Sequence, residues 1–187
     1  PGEERVYVRK PQFHFGWDWG PKLIGAGITE EVKLVASNTA QISDFYVSTI
    51  SISDSVTKMR LEIEISNLDD NDYSIELLGE TYSIESKTTH IDFALVNPEL
   101  WRPLGYGAQN FQNLQVNLLN NDGDVIDQIN EQYAIRQIDL IQEEDELGKG
   151  FKFQVNRQDV YAKGANWIPL DFFHTRVDSN QYRKALI

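Results

Sequence analysis

Alternation of apolar and polar residues governs most of this chain. In the run Met-Arg-Leu-Glu-Ile-Glu-Ile, Met59, Leu61, Ile63 and Ile65 fall on one face of an extended strand, and Arg60, Glu62 and Glu64 fall on the other. That is the pattern of a strand with one face buried and one in water. The same period recurs at Ile91, Phe93 and Leu95, at Leu114, Val116 and Leu118, and at Val32 with Leu34. Turn chemistry separates the runs: Asn67 to Asp72, the Pro- and Gly-containing stretch from Asn97 to Gly107, and Asn120 to Asp124, where Asp122-Gly123 suits a tight hairpin. From Gln41 to Leu140 these signals give roughly seven strands at about 8–12-residue spacing, which predicts an immunoglobulin-like β-sandwich.

The flanks do not belong to that sandwich. Arg5 to Lys10 and the stretch Ile28 to Ala36 read as strands of a preceding β domain. The charged run around Glu143 to Glu146 reads as a solvated linker. After it, Phe151, Phe153 and Val155 alternate, Asn-Arg-Gln-Asp at 156–159 turns the chain, and Val160 to Gly164 returns, so a hairpin is expected to feed one short strand. Asp178 and Ser179 are capping residues in front of Tyr182, Ala185 and Leu186 at helical spacing. A strand followed by a helix fits the opening of a (β/α) barrel.

Charge and composition remove several functions. With 17 Lys+Arg against 29 Asp+Glu, the net charge of -12 repels phosphate backbones and anionic lipid heads, so neither nucleic acid nor membrane is an expected partner. A neutral or cationic ligand is favoured. Zero Cys excludes thiol catalysis, zinc–thiolate sites and disulfides; together with the lack of an Asn-x-Ser/Thr sequon it points towards a bacterial protein. His14, His90 and His174 lack metal-ligand spacing, so no metal and no cofactor are expected. The chain opens at Pro1, has its only Met at position 59 and closes within the expected helix, which reads as a piece of a longer polypeptide.

The stretch Arg-Lys-Pro-Gln-Phe-His-Phe-Gly-Trp-Asp-Trp-Gly-Pro-Lys, residues 9–22, places Trp17 and Trp19 around Asp18 between two glycines. Either the indoles are interface core, each burying about 150–250 Å² while Asp18 caps a turn, or the carboxylate accepts hydrogen bonds from vicinal sugar hydroxyls while an indole stacks on the ring.

This stretch, followed in order by Asn-Pro-Glu-Leu-Trp-Arg-Pro-Leu-Gly-Tyr-Gly at 97–107 with Gln109, Tyr-Ala-Ile-Arg at 133–136 and Gly-Ala-Asn-Trp-Ile-Pro at 164–169, resembles glycoside hydrolase family 2. The Trp-Asp-Trp-Gly and Gly-Ala-Asn-Trp-Ile-Pro segments are most similar to its β-mannosidase branch. The likeness covers nearly the whole chain; Leu170, where the family more often has Ala, is one departure. It implies a mainly β fold in three parts: the end of a sugar-binding-like jelly-roll over 1–37, the sandwich over 38–140, and the truncated start of a (β/α)8 barrel over 141–187. It also implies a retaining exo-glycosidase acting on terminal non-reducing β-linked sugars of an oligosaccharide, with galactosidases and glucuronidases as rival specificities on the same scaffold.

Retaining chemistry needs two carboxyl groups about 5–5.5 Å apart. The resemblance places both glutamates on later barrel strands beyond Ile187, so no catalytic residue is expected here. Asn130-Glu131 matches the family's acid/base dipeptide but falls in the last sandwich strand and reads as a surface pair. By the same resemblance Asp18 binds the terminal sugar, with Trp17 and Trp19 as substrate-binding candidates. Asn166 and Trp167 end the first barrel strand, where they line the pocket or pack against the next strand. Trp101 is expected to anchor a sandwich edge. A stand-alone sandwich that binds carbohydrate or protein is the alternative, and self-association through exposed domain interfaces is an expected behaviour of the isolated piece.

Overall fold

The computed structural model describes residues 4–187. Its strands arise where the alternation placed them. The first seven are β1 (Gln41–Ile52), β2 (Val56–Ser66), β3 (Ser74–Leu77), β4 (Glu80–Ser83), β5 (Thr88–Val96), β6 (Gln112–Leu119) and β7 (Val125–Tyr133). Met59, Leu61, Ile63 and Ile65 on β2 are at most 1% exposed, whereas Lys58 and Glu64 face water.

Two antiparallel sheets result, one ordered β1-β2-β5 and the other β4-β3-β6-β7. The chain leaves the first sheet after β2, builds β3 and β4 in the second, returns for β5 and crosses again for β6 and β7. Leu61, Ile63, Ile65 and Ile91 from one sheet meet Ile75, Leu77, Leu114, Val116 and Leu118 from the other in a single core. Each such side chain contributes about 1.5–3 kcal/mol by leaving water. This is the immunoglobulin-like sandwich. Ile42 on β1 donates its N–H to Asp127 on β7 at 2.9 Å, tying the two sheets at their margin.

Turn residues carry the conformations that their sequence promised. Asn120 accepts from the N–H groups of Asp122 and Asp124 at 3.0 and 2.8 Å, and Gly123 adopts φ +84°. Asp69 accepts from the Asn71 N–H at 3.0 Å and from the Tyr73 hydroxyl at 2.9 Å, which fixes the loop between β2 and β3.

Beyond the sandwich come β8 (Ile138–Ile141), the two-residue strands β9 (Glu144–Asp145) and β10 (Gly148–Lys149), then β11 (Lys152–Val155) and β12 (Gln158–Val160). The run expected as a plain linker is instead the tip of a long hairpin. β8 pairs with β11, β9 pairs with β10, and Gly148 at φ +136° permits the reversal. Its glutamates still face water, which is why charge alone disguised it. The turn expected over 156–159 is tighter than that: Asn156 and Arg157 make it with φ +50° and +65°, the two-residue geometry that matches strand twist, and the return strand is Gln158–Val160 rather than Val160 to Gly164. This small sheet is bolted to the Trp101 loop. Asn156 donates to the Trp101 carbonyl at 2.9 Å, Arg102 donates to Gln158 at 3.1 Å, and the Tyr161 N–H donates to the Tyr106 hydroxyl at 2.9 Å. Trp101 is the edge anchor, with the Arg136 guanidinium 5.0 Å above its ring.

By internal contacts the chain forms two units: Ala36–Lys163, and a second in which the segment ending at Val35 joins Gly164–Ile187. In the second unit the expected strands over Arg5–Lys10 and Ile28–Ala36 do not form. A single 3-10 turn spans Glu4–Tyr7, and Ile28, Val32 and Leu34 are 82%, 74% and 99% exposed. The first barrel strand, expected to end at Asn166 and Trp167, is likewise irregular there. The reason is common to all three: a strand gains its ladder and its buried face only from neighbours, and an unpaired one leaves its backbone groups to water. The helix does form as α1 (Ser179–Leu186), because Asp178 and Gln181 complete a capping box with bonds of 2.8 Å in both directions. No described helix is long and apolar enough to cross a membrane.

Candidate functional site

Local chemistry explains the shape of the stretch around Asp18. Pro11 precedes a 3-10 turn, Gln12–Phe15, which Gly16 ends at φ +104° with its N–H on the Phe13 carbonyl at 3.0 Å. Trp17 and Gly20 then exchange two backbone hydrogen bonds of 3.3 Å each, so Asp18 and Trp19 form the two-residue tip of a tight turn. Asp18 projects into solvent, as does Trp17, which is 55% exposed.

Trp19 turns the other way. Its ring lies 5.3 Å from Phe13 and 5.8 Å from Phe172, and Phe13 and Phe172 meet edge-on at 5.5 Å. His14 is buried beneath them, stacked on Phe13 at 4.6 Å, with Phe172 edge-on at 5.9 Å. Its Nδ1 lies 3.1 Å from the Leu23 carbonyl, which only accepts, so Nδ1 carries the proton. The Leu23 N–H returns the contact to the His14 carbonyl at 3.0 Å. Of the two indoles, Trp19 is half-buried against Phe13 and Phe172, and Trp17 is exposed.

A cleft of about 300 Å³ opens beside this cluster, walled by Lys10, His14, Thr29, Phe172, Phe173 and His174 among others. Among the described residues no carboxylate lines it. Next to Phe172, Asp171 accepts from the Phe173 N–H at 2.7 Å and from Arg176. The Phe173 amide first, and the guanidinium second, hold its carboxyl below the ordinary aspartate range.

The remaining candidates are more scattered. Asn166 is exposed and Trp167 is 48% exposed, both on irregular backbone. Asn130 and Glu131 both lie exposed in β7, as a surface pair should. His90 is an exposed residue of β5. No group of three or more His, Asp or Glu residues close enough to hold a metal ion occurs among the described residues. Sequence reasoning missed Phe172 and the burial of His14. Gly20, directly after Trp19, leaves room for a ring at its backbone, but nothing in the sequence says which ring fills it.

Comparison with known proteins adds a family. A model described as glycosyl hydrolases family 2 matches residues 36–136, and one described as glycosyl hydrolase 2 galactose-binding domain-like matches residues 1–30. Among curated proteins, Beta-mannosidase B of Aspergillus clavatus is 35% identical over 192 residues, covering 96% of this chain and 22% of its own length. That of Emericella nidulans is 33% identical over 192 residues, with the same coverage. Among solved structures, the Beta-D-Mannosidase of Dictyoglomus thermophilum superposes with a TM-score of 0.83 at 36% identity, over 97% of this chain and 24% of that one. The exo-chitosanase of Amycolatopsis orientalis shares the fold, with a TM-score of 0.60 at 18% identity over 79% of this chain and 18% of its own. The chain thus spans about a fifth of the length of the curated relatives it matches, 22% for each of these two. The expectation of a bacterial source gains no support: these curated relatives are fungal, although the β-mannosidase structure is bacterial. Absence of Cys and sequons constrains chemistry more than it constrains origin.

Proposed function

Because this chain belongs to glycosyl hydrolases family 2, we propose that it is one segment of a retaining, exo-acting β-mannosidase that removes terminal non-reducing β-linked mannose from oligosaccharides. The segment supplies part of the sugar pocket and none of the catalytic carboxyls. In this proposal residues 1–37 close a jelly-roll domain, 38–140 form the sandwich and 141–187 open the (β/α)8 barrel. Asp18 accepts hydrogen bonds from sugar hydroxyls, Trp17 offers its exposed face to the ring, and Trp19 holds the turn. Asn166 and Trp167 line the pocket from the end of the first barrel strand.

The observation that carries this is the clasp between Trp19 and Phe172 at 5.8 Å. It fastens the turn bearing Asp18 to the very segment that opens the barrel, where barrel active sites form. Identity of 33–36% to β-mannosidases over nearly the whole chain supports mannose over other sugars.

A panel of nitrophenyl β-glycosides tests the sugar on the full-length polypeptide. The β-mannoside is expected to be turned over fastest, with retained anomeric configuration by NMR. Preference for the β-galactoside or β-glucuronide contradicts the mannose assignment, and inversion contradicts the mechanism. For the isolated chain, the exposed Ile28, Val32 and Leu34 support self-association. Sedimentation as a monomer throughout the micromolar range contradicts that part.

A further inference from the structure

Gly20 is a glycine because Phe172 occupies the place of its side chain. A Cβ added there would lie 2.8 Å from Cε2 of the Phe172 ring and closer still to Cζ. Gly20 is also the residue whose two backbone bonds to Trp17 close the turn around Asp18. Any displacement of Gly20 is therefore passed directly to Asp18. The Phe172 ring touches the turn on its other sides as well, against Trp19 at 5.8 Å and Phe13 at 5.5 Å, with the buried His14 beneath at 5.9 Å. Asp171 in turn fixes the backbone on either side of Phe172 by accepting from the Phe173 N–H and Arg176.

We propose that Phe172 is a positioning residue: its ring, seated on Gly20, sets where Asp18 presents its carboxylate to the sugar. This rests on the sugar contact proposed for Asp18 and extends it to a residue that never touches the ligand. The physical ground is that hydrogen bonding to hydroxyls is steep in distance and angle, so a displacement of about 1 Å costs up to about a hundredfold in rate. The ring can yield only by turning about its two side-chain torsions, and Phe13, His14 and Trp19 packed around it confine both.

A double-mutant cycle in the full-length polypeptide tests it, with kcat and KM measured on a nitrophenyl β-mannoside for wild type, Phe172→Leu, Asp18→Asn and the pair. Phe172→Leu is expected to lower kcat/KM about ten- to a hundredfold alone and less than about twofold in the Asp18→Asn background. Gly20→Ala, which keeps the aromatic ring but pushes it off the turn, supplies an independent arm. It should show the same dependence on Asp18, and it carries the cycle if Phe172→Leu does not fold. Equal losses in both backgrounds, or no loss from either variant, overturn the positioning role while leaving Asp18 in place. An Asp18→Asn enzyme with unchanged kcat/KM overturns the sugar contact itself.

Discussion

The Asn156 side chain donates to the Trp101 carbonyl and accepts from the Gln137 N–H, each at 2.9 Å, so one residue joins a hairpin turn to a loop far earlier in the chain. Asn156 does this at φ +50°, a conformation that Asn tolerates better than most residues. Asn156→Ala removes two neutral hydrogen bonds of about 0.5–1.5 kcal/mol each and adds left-handed strain of about 1 kcal/mol. The expected loss is about 2–4 kcal/mol in urea unfolding, with Asn156→Gly losing less because glycine keeps the turn. Equal and negligible losses for both variants would show that the turn is not bolted to the Trp101 loop.

Leu61 is fully buried between the two sheets, and Val96, on β5, is 74% exposed. Leu61→Ala should cost about 2–5 kcal/mol through the cavity it leaves, whereas Val96→Ala should stay within about 0.5 kcal/mol. Hydrogen exchange should likewise protect the amides of Leu61, Ile63, Phe93 and Val116 far more than those after Asp171. Uniform protection along the chain contradicts a cooperative sandwich.

Among the described residues, four carboxyls sit below the ordinary aspartate range: Asp69 through the Asn71 N–H and the Tyr73 hydroxyl, Asp92 through Arg60, Asp159 through Lys152, and Asp171 through the Phe173 N–H and Arg176. A depressed folded value contributes stability above the unfolded pKa of about 3.9 and loses it as pH falls through the folded value. Thermal midpoints should therefore be flat from about pH 8 to 5 and decline below about pH 4. The Tyr73 hydroxyl, held up chiefly by donating to Asp69, has the opposite sign. Its contribution is complete below about pH 10 and disappears above it. Asp69→Asn should make the alkaline limb shallower and the acid limb only partly so, since Asp92, Asp159 and Asp171 remain, and unchanged limbs contradict the Asp69–Tyr73 bond.

The chain alone should not hydrolyse a nitrophenyl β-mannoside. Among the described residues no carboxylate lines the cleft beside Phe172, and the resemblance puts the family's catalytic glutamates beyond Ile187, so both contributions of the carboxyl pair are expected to be missing together. Turnover by the purified chain that survives a contamination control contradicts this.

The sandwich was legible because period two is a direct imprint of burial: Met59 to Ile65 could face one core in only one way. The turns at Asn120–Asp124 and Asn156–Arg157 were legible for a similar reason, since few residues accept positive φ. The flanking alternation at Val32 and Leu34 misled because it records what a segment does with partners, and those partners are not among the described residues. The Glu143–Glu146 hairpin was hidden by its own charge. In the site, the irregular Asp18 turn could be read from its glycines, but the Gly20–Phe172 contact could not. It joins distant positions, and a glycine carries no periodic signal.

Asp18 stands exposed at the tip of its turn while Trp19 beside it packs on Phe172, so the ligand contact proposed above and the packing contact fall on adjacent residues. Charge-assisted bonds from sugar hydroxyls are worth about 1.5–3 kcal/mol each. Asp18→Asn keeps the shape but turns one acceptor into a donor. In the full-length polypeptide the most direct test is to measure kcat/KM and Tm on that single variant. We expect kcat/KM to fall roughly ten- to a thousandfold with Tm nearly unchanged. An Asp18→Asn enzyme that keeps kcat/KM within a few-fold but melts earlier would contradict the account, making Asp18 a turn residue and nothing more.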